Sequence, residues 1–250
     1  MNKCFVGIDA GSLHTPAYVA WLNGQEFTLD MYQPTEDTPL PRTPAGLPAP
    51  AVFAVDAPQG LPCPGARVRE ADRKAGTPTN KLPSTRAELE QWKLYGGLIR
   101  VGVMMFWAAQ VRGLAKLYGL ENTGGRPLAV GPETPVLAET YPRYVLHRLW
   151  PNLHPPSKRK APLAYVDAVW RRLRATGYAC RSVVQPTVDQ VDAMLCALAA
   201  KACEGGRAAV EVGCPPMIDE GERLFREGWI VSPAAPTAAG GAWLALDPGL

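Results

Sequence analysis

Short apolar runs that each end in an acidic residue recur along the chain. Three such runs occur: residues 5–8 before Asp9, residues 51–55 before Asp56, and residues 135–138 before Glu139. Apolar runs of this length, rich in β-branched residues and bounded by turn residues, predict buried strands. An acidic residue at the end of such a strand lies at the edge of an open α/β sheet where ligands usually bind.

Other strands and helices are predicted around these runs. Residues 17–22 and 26–32 flank Asn23-Gly24, a dipeptide typical of tight hairpins, and so predict a three-stranded meander that begins with the Asp9 strand. The remaining patterned segments predict helical structure over residues 85–118, 143–149, 162–175 and 187–200, and a small strand over 228–233. In the first of these, Gly96-Gly97 and Gly102 are expected to be breaks or close-packing points. The Pro-rich segment 34–50 and the long segment 57–85 predict loops. We therefore expect one domain over residues 1–235, followed by a loose tail over 236–250.

Composition narrows the class of protein. A chain of 250 residues with a hydrophobic fraction of 47% suits a single large α/β domain. The formal net charge of +3 gives no general argument for nucleic acid, so a basic surface must be local. The N-terminal residues lack the charged segment, long apolar stretch and small-residue cleavage site that are typical of a secretory signal, so we expect none. The sequence also contains no apolar run of the ~18–20 residues that a membrane span needs and no Cys-x-x-Cys pair. These features predict a cytoplasmic protein with reduced cysteines and no membrane partner.

The 187–200 segment supplies a fourth candidate acid. Val191, Leu195 and Leu198 mark its apolar stripe, and Asp192 lies against the edge of that stripe. A carboxylate beside so apolar a helix face costs free energy unless it is paired or binds a metal ion. Asp189, one turn earlier, has a simpler explanation, because the helix dipole favours an acid in the first turn.

Each acid taken alone has a structural explanation; Asp9, for example, precedes Gly11 and suits an Asx turn. Taken together, three acids at strand ends and one on an apolar helix would repel one another if they converged. A divalent cation removes that repulsion, and hard carboxylate oxygens suit magnesium (Mg2+) or manganese (Mn2+). The pattern therefore predicts a site for one of these ions.

Five short motifs follow one another along the chain: Gly7–Gly11, Ala54–Pro62, Glu139–Pro142, Asp192–Leu198 and Gly228–Ile230. Their ordered set resembles the domain-of-unknown-function family 429, whose members are described as predicted RNase H-like nucleases. The resemblance extends from about residue 3 to residue 233. No single motif is decisive, and the ordered set carries the resemblance.

The resemblance implies a ribonuclease H-like fold, an α/β fold with a five-stranded mixed sheet of order 3-2-1-4-5 flanked by helices. In that fold the first and fourth strands are adjacent and parallel, which would bring Asp9 and Asp56 together. The pair formed by Asp189 and Asp192 is also similar to the last acidic motif of RuvC-type resolvases. In those relatives the acids hold two divalent ions that cleave phosphodiesters.

Carried over to this chain, the resemblance implies a metal-dependent nuclease acting on DNA or RNA. Asp9, Asp56 and Asp192 would be metal ligands and catalytic residues. Glu139 would be a further catalytic residue. Both Glu139 and Asp189 would be additional metal ligands or supporting groups.

Basic residues near the acids are candidates for binding substrate phosphates. Arg67, Arg73 and Lys74 follow the Asp56 strand, and Lys158 follows the helix after Glu139. Such residues bind phosphates where they face a cleft, and are solvated surface residues where they do not.

Two other functional hypotheses remain open. Asp9-Ala10-Gly11-Ser12 resembles the first phosphate loop of actin-like ATPases and sugar kinases, although those proteins normally need two copies of the fold. The chain would alternatively be a non-catalytic nucleic-acid-binding module that keeps the acids by descent. Nuclease assays, ATP turnover and stabilisation by divalent ions separate the three.

Overall fold

The computed structural model describes residues 3–78, 81–120, 134–180, 182–204 and 209–234. These residues form ten strands: β1 (Cys4–Asp9), β2 (Ala17–Asn23), β3 (Glu26–Tyr32), β4 (Pro50–Asp56), β5 (Gly60–Leu61), β6 (Lys116–Leu117), β7 (Val136–Thr140), β8 (Ala179–Cys180), β9 (Ala209–Asp219) and β10 (Leu224–Pro233). They also form six helices: α1 (Glu70–Ala75), α2 (Arg86–Gln91), α3 (Gly96–Val111), α4 (Pro142–Leu149), α5 (Pro162–Ala175) and α6 (Val188–Glu204).

All of these strands belong to one mixed sheet, which confirms the predicted α/β class. The strand order is β5-β10-β7-β4-β1-β2-β3-β8, with β6 paired to β7 and β9 paired to β10. β1 is antiparallel to β2 and parallel to β4, and β4 is parallel to β7. The hairpin predicted at Asn23-Gly24 joins β2 to β3, and Gly24 has the positive φ of 62° that this tight turn requires.

The predicted five-stranded sheet of order 3-2-1-4-5 is wrong. The sheet continues past β7 into β10 and β5, and past β3 into β8. Three of the added strands contain two residues each, too few for any periodic signal. β9 contains Pro215-Pro216, a dipeptide that argues against a strand when only the sequence is known.

The helices after β7 follow the prediction. The helical segment predicted over 85–118 forms α2, α3 and β6, and its break lies at Trp92–Tyr95, directly before the expected break at Gly96-Gly97. Tyr95 adopts a left-handed backbone there, with φ of 54°. Gly102 is a close-packing point inside α3, where an added Cβ would lie 2.5 Å from the Pro58 carbonyl oxygen. The segment 57–85, predicted as a loop, contains β5 and α1. The predicted tail, residues 236–250, lies outside the described residues.

Helices cover both faces of the sheet, and alternate strand residues pack to opposite sides. On β1 and β4, Phe5, Val52 and Ala54 join the core formed with α4, α5 and α6. The intervening residues, such as Val6 and Phe53, join the core formed with α3. Because side chains alternate along a strand, Asp9 and Asp56 belong to the face that α6 covers.

A glycine on β1 lets α6 approach this face closely. A Cβ at Gly7 would lie 2.0 Å from the Ala193 carbonyl oxygen and 2.1 Å from the Ala197 nitrogen. Only a residue without a side chain allows this contact between a strand and a helix backbone. The contact brings the N-terminal half of α6, which carries Asp192, over the end of β1.

Replacing Gly7 by Ala is therefore expected to lower the free energy of unfolding by about 3 kcal/mol, the upper end of the cost of overpacking a core. Urea unfolding measures the change. Gly221→Ala is the matched control, because the nearest atom to its added Cβ is an Asp219 oxygen at 3.6 Å. The control should change stability by about 0.5 kcal/mol or less. Equal losses in the two variants would contradict the close packing of α6 on β1.

Among the described residues, none of the helices has the length and apolar character needed to cross a membrane.

Candidate active site

Two of the predicted acids lie side by side at the end of parallel strands. Asp9 ends β1, Asp56 ends β4, and the two residues are partners in the strand register. Both are partly buried and both belong to the face covered by α6. The predicted pairing of the first and fourth strands, and of these two acids with it, is confirmed.

Asp192 on α6 completes a group of three carboxylates. Its side chain is 5% exposed. The Tyr165 hydroxyl donates to Asp192 Oδ1 at 2.9 Å, and the Lys158 ammonium donates to Oδ2. Asp189 lies one turn earlier at the exposed start of α6, close enough for its charge to act on both Asp9 and Asp192.

Burial and mutual repulsion make these carboxyl groups hard to ionise. The pKa of Asp9 lies well above its usual range because of burial first, and then because of the charges of Asp56 and Asp192. Burial also raises the pKa of Asp56 to about 7, against the opposing effect of Lys158. The pKa of Asp192 is raised by burial despite its contacts with Lys158 and Tyr165.

Lys158 is the cation within this group. Burial alone would lower its pKa, but the carboxylate of Asp192, followed by those of Asp56 and Asp9, raises it. The ammonium also lies 5.4 Å from the centre of the Tyr165 ring. One positive charge therefore partly compensates several acids, and the site retains an excess of negative charge when all are ionised.

The raised pKa of Asp56 predicts an inverse pH dependence of stability in the absence of divalent ions. Between about pH 4 and about pH 7 the folded state keeps a proton on Asp56 that the unfolded chain releases, so stability falls as pH rises. Asp56→Asn removes this ionisation. The variant should be more stable than wild type at about pH 8, by roughly 1.4 kcal/mol for each pH unit by which the pKa of Asp56 exceeds that of an ordinary aspartate. Near pH 4 the two proteins should be similarly stable.

Urea unfolding in EDTA at the two pH values measures this effect. Asp37→Asn is the control, because its side chain is 95% exposed. An Asp56→Asn variant that is less stable than wild type at about pH 8 would contradict the electrostatic account.

Glu139 is turned to the other face of the sheet from Asp9 and Asp56, although its charge acts on Asp56 and both Glu139 and Asp56 line the same cleft. In the register of β4 and β7, Val55 is the partner of Glu139, so Asp56 lies level with Thr140. Glu139 is two residues from Leu137 on β7, so both side chains point to the same side of the sheet, and Leu137 packs on the α3 side. A shift of one residue along the strand therefore turns Glu139 to the opposite face.

There Glu139 belongs to a buried ion-pair network that sequence reasoning missed. Arg69 donates to both Glu139 oxygens, at 2.6 and 2.7 Å, and to both oxygens of Asp72, at 2.7 and 3.0 Å. The backbone amide of Gln59 donates to Glu139 Oε2 at 2.8 Å. The Arg69 side chain has no exposed surface. The spacing of Arg69 and Asp72 suggests only a helical pair, whereas Glu139 lies 70 residues away in the chain.

The predicted phosphate-binding residues are separated by the fold. Arg67 forms an ion pair with Glu88, Lys74 forms one with Glu70, and Arg73 is exposed on α1. Of the predicted set, Lys158 alone contacts one of the three acids. Tyr165, which holds Asp192, was not predicted, because a tyrosine on an amphipathic helix reads as core.

A cleft of about 730 Å³ opens beside Asp56 and Lys158. Residues from α4 and the loop before α5, including Arg143 and Arg159, form part of its wall. Asp72 and Glu139 also line the cleft, so it contains acids as well as basic residues.

The turn after β1 bears on the phosphate-loop hypothesis. The Ser12 amide donates to the Thr15 carbonyl, and the Thr15 amide donates to the Ser12 carbonyl. The Ser12 amide, one of the amides of the candidate phosphate loop, is therefore engaged within the turn.

The chain matches no protein-family model, and no curated protein or solved structure is significantly similar to it. The resemblance to family 429 therefore rests on the quoted motifs alone.

Proposed function

We propose that the protein is a divalent-cation-dependent phosphodiester hydrolase that acts on nucleic acid in the cytoplasm, with an active site arranged as in RNase H-like nucleases. The observation that carries the proposal is the convergence of Asp9, Asp56 and Asp192. Parallel strands hold the first two side by side, and α6 brings the third over them. The resemblance of the ordered motifs to family 429 supports the same proposal.

The chemistry of the donors, all of them carboxylates, is that of a site for Mg2+ or Mn2+. The part of the chain that the structure describes contains no group of three or more His, Cys, Asp or Glu side chains that could hold a metal ion as it stands. It does contain buried carboxylates whose ionisation is opposed by their own repulsion, with Lys158 as their counter-charge. Carboxylate oxygens are the ligands these ions prefer. When bound, such ions supply a nucleophilic water and stabilise the leaving oxygen of a phosphodiester.

Residues of the chain have separate roles in this proposal. Asp9, Asp56 and Asp192 would hold the cation. The Tyr165 hydroxyl donates to Asp192 and orients its carboxylate. Lys158, which pairs with Asp192, would be available to bind an oxygen of the substrate phosphate when a cation replaces it as the counter-charge. Asp189 adds negative charge from the start of α6, and Glu139 instead stabilises the neighbouring structure through Arg69.

Cleavage assays test this function directly. Single-stranded, duplex and branched DNA and RNA are incubated with the protein and Mg2+, Mn2+ or EDTA, and ATP turnover is measured in parallel. The proposal predicts cleavage that requires a divalent ion. ATP turnover with intact nucleic acid would contradict it in favour of the kinase-like hypothesis, and binding without cleavage would contradict it in favour of a binding module.

A further inference from the structure

We propose that the cleft beside Asp56 binds one or two unpaired nucleotides of a single-stranded nucleic acid, with Arg143 and Arg159 on the phosphates and Tyr95 stacked on a base. The inference deepens the proposed function by naming the substrate class, and it rests on that function for the nature of the ligand. Neither arginine nor Tyr95 belongs to the acidic group described above.

The volume of the cleft limits what enters it. At about 730 Å³ the cleft lies within the ~300–1,000 Å³ range of sites that enclose small ligands. It reaches Asp56 and Lys158 at one end, so a phosphate bound there lies beside the acidic group. A duplex keeps its bases paired inside and its phosphates on two separate strands, whereas an unpaired nucleotide can enter a pocket of this size.

Two arginines line the cleft, together with the acids Asp56, Asp72 and Glu139. Arg143, on the first turn of α4, and Arg159, in the loop before α5, are both exposed. Arg143 lies near the acids, because its charge and that of Asp56 both act on the Tyr141 hydroxyl, whose pKa is raised mainly by burial. Unlike Arg67 and Lys74, neither arginine forms an ion pair with any acid that the structure describes.

Tyr95 provides an aromatic surface on the same cleft. It precedes α3, lines the cleft and is 45% exposed. Its φ of 54° is unusual for a residue with a bulky side chain, and such backbone conformations occur often at ligand sites. Proteins that bind single strands combine a positive groove with aromatic residues that stack on bases. The cleft has both features.

Binding of defined probes tests the inference without relying on catalysis. The probes are a short oligothymidylate, its duplex with oligoadenylate, and thymidine monophosphate, each measured by calorimetry in a calcium buffer with the full chain. Wild type should bind the single strand more tightly than either other probe. The double variant Arg143→Gln/Arg159→Gln should lose roughly a hundredfold in affinity, and its salt slope should fall by about 1.4.

Matched variants separate stacking and charge from folding. Tyr95→Asn keeps a residue that tolerates left-handed backbone and should lose about tenfold, whereas Tyr95→Phe should bind like wild type. Arg42→Gln changes an exposed arginine that does not line the cleft and should bind like wild type.

Three results would overturn the inference: affinity of the double variant equal to that of Arg42→Gln, equal binding of duplex and single strand, or equal binding of the monophosphate and the strand. Cleavage is scored separately. Binding of the strand through Arg143 and Arg159 without cleavage would contradict the proposed hydrolase function but not this inference. Cleavage at the same rate in wild type and in the double variant would contradict this inference but not the proposed function.

Discussion

Asp9→Asn is expected to lower divalent-cation-dependent cleavage of nucleic acid by about a thousandfold. The change removes one negative charge and one hard oxygen ligand from the position where β1 and β4 meet, and losses of this size follow removal of a single transition-state-stabilising group. Asparagine has nearly the same shape, so the fold should be kept. Initial rates with saturating Mg2+ measure the effect, and thermal unfolding verifies the fold.

Asp30→Asn is the matched control for this prediction. Asp30 lies on β3 of the same sheet, and its exposed side chain accepts a hydrogen bond only from the adjacent Met31 amide in the described structure. This variant should cleave at the wild-type rate. Cleavage by Asp9→Asn at the same rate as by Asp30→Asn would show that Asp9 has no role in the reaction.

Arg69→Met is expected to lower the free energy of unfolding by about 3–5 kcal/mol near pH 7. The variant leaves Glu139 and Asp72 without their arginine in a region where the Arg69 side chain has no exposed surface. The loss should shrink at about pH 5, because burial raises the pKa of Glu139 and its protonation then relieves part of the uncompensated charge. Urea unfolding at the two pH values measures both effects.

The control is Arg67→Met, which removes a neighbouring arginine of the same segment. Arg67 is 55% exposed in its ion pair with Glu88, so its loss should cost about 1 kcal/mol or less. If the two variants lose the same stability, then the buried network does not hold β7 to the segment before α1.

The general architecture was predictable because hydrophobic periodicity reports local structure. The apolar runs of β1, β4 and β7, the Asn23-Gly24 hairpin and the helix α6 all carry strong local signals. The size of the sheet was not predictable. β5, β6 and β8 are two-residue strands held by their neighbours, and such pairings depend on tertiary contacts rather than on local pattern.

The positions of the acids, like the fold, were only partly predictable from the sequence. Asp9 and Asp56 are neighbours as expected, because the pairing of β1 with β4 decides their positions. Asp192 on α6 lies near enough for its charge to act on both. Glu139 looks equivalent in sequence, yet it lies on the other face of the sheet. A strand buried on both faces is apolar at every position, so its sequence does not tell which residues point to which side.

The partner of each acid was also beyond local reasoning. Tyr165 and Lys158 reach Asp192 from α5 and the loop before it, and Arg69 reaches Glu139 from a segment that predicts only a loop. These contacts join residues far apart in the chain. Because these acids are buried, each needs a partner, but the pattern of neighbouring residues in the sequence does not identify which residue that partner is.

The central claim is that Asp9, Asp56 and Asp192 together bind a divalent cation, and a Mn2+ titration followed by electron paramagnetic resonance tests it most directly. Wild type should remove Mn2+ from solution, excess Mg2+ should release it, and Asp56→Asn should lose at least about tenfold in affinity while Asp37→Asn does not. Equal Mn2+ affinity in wild type and Asp56→Asn would contradict the claim.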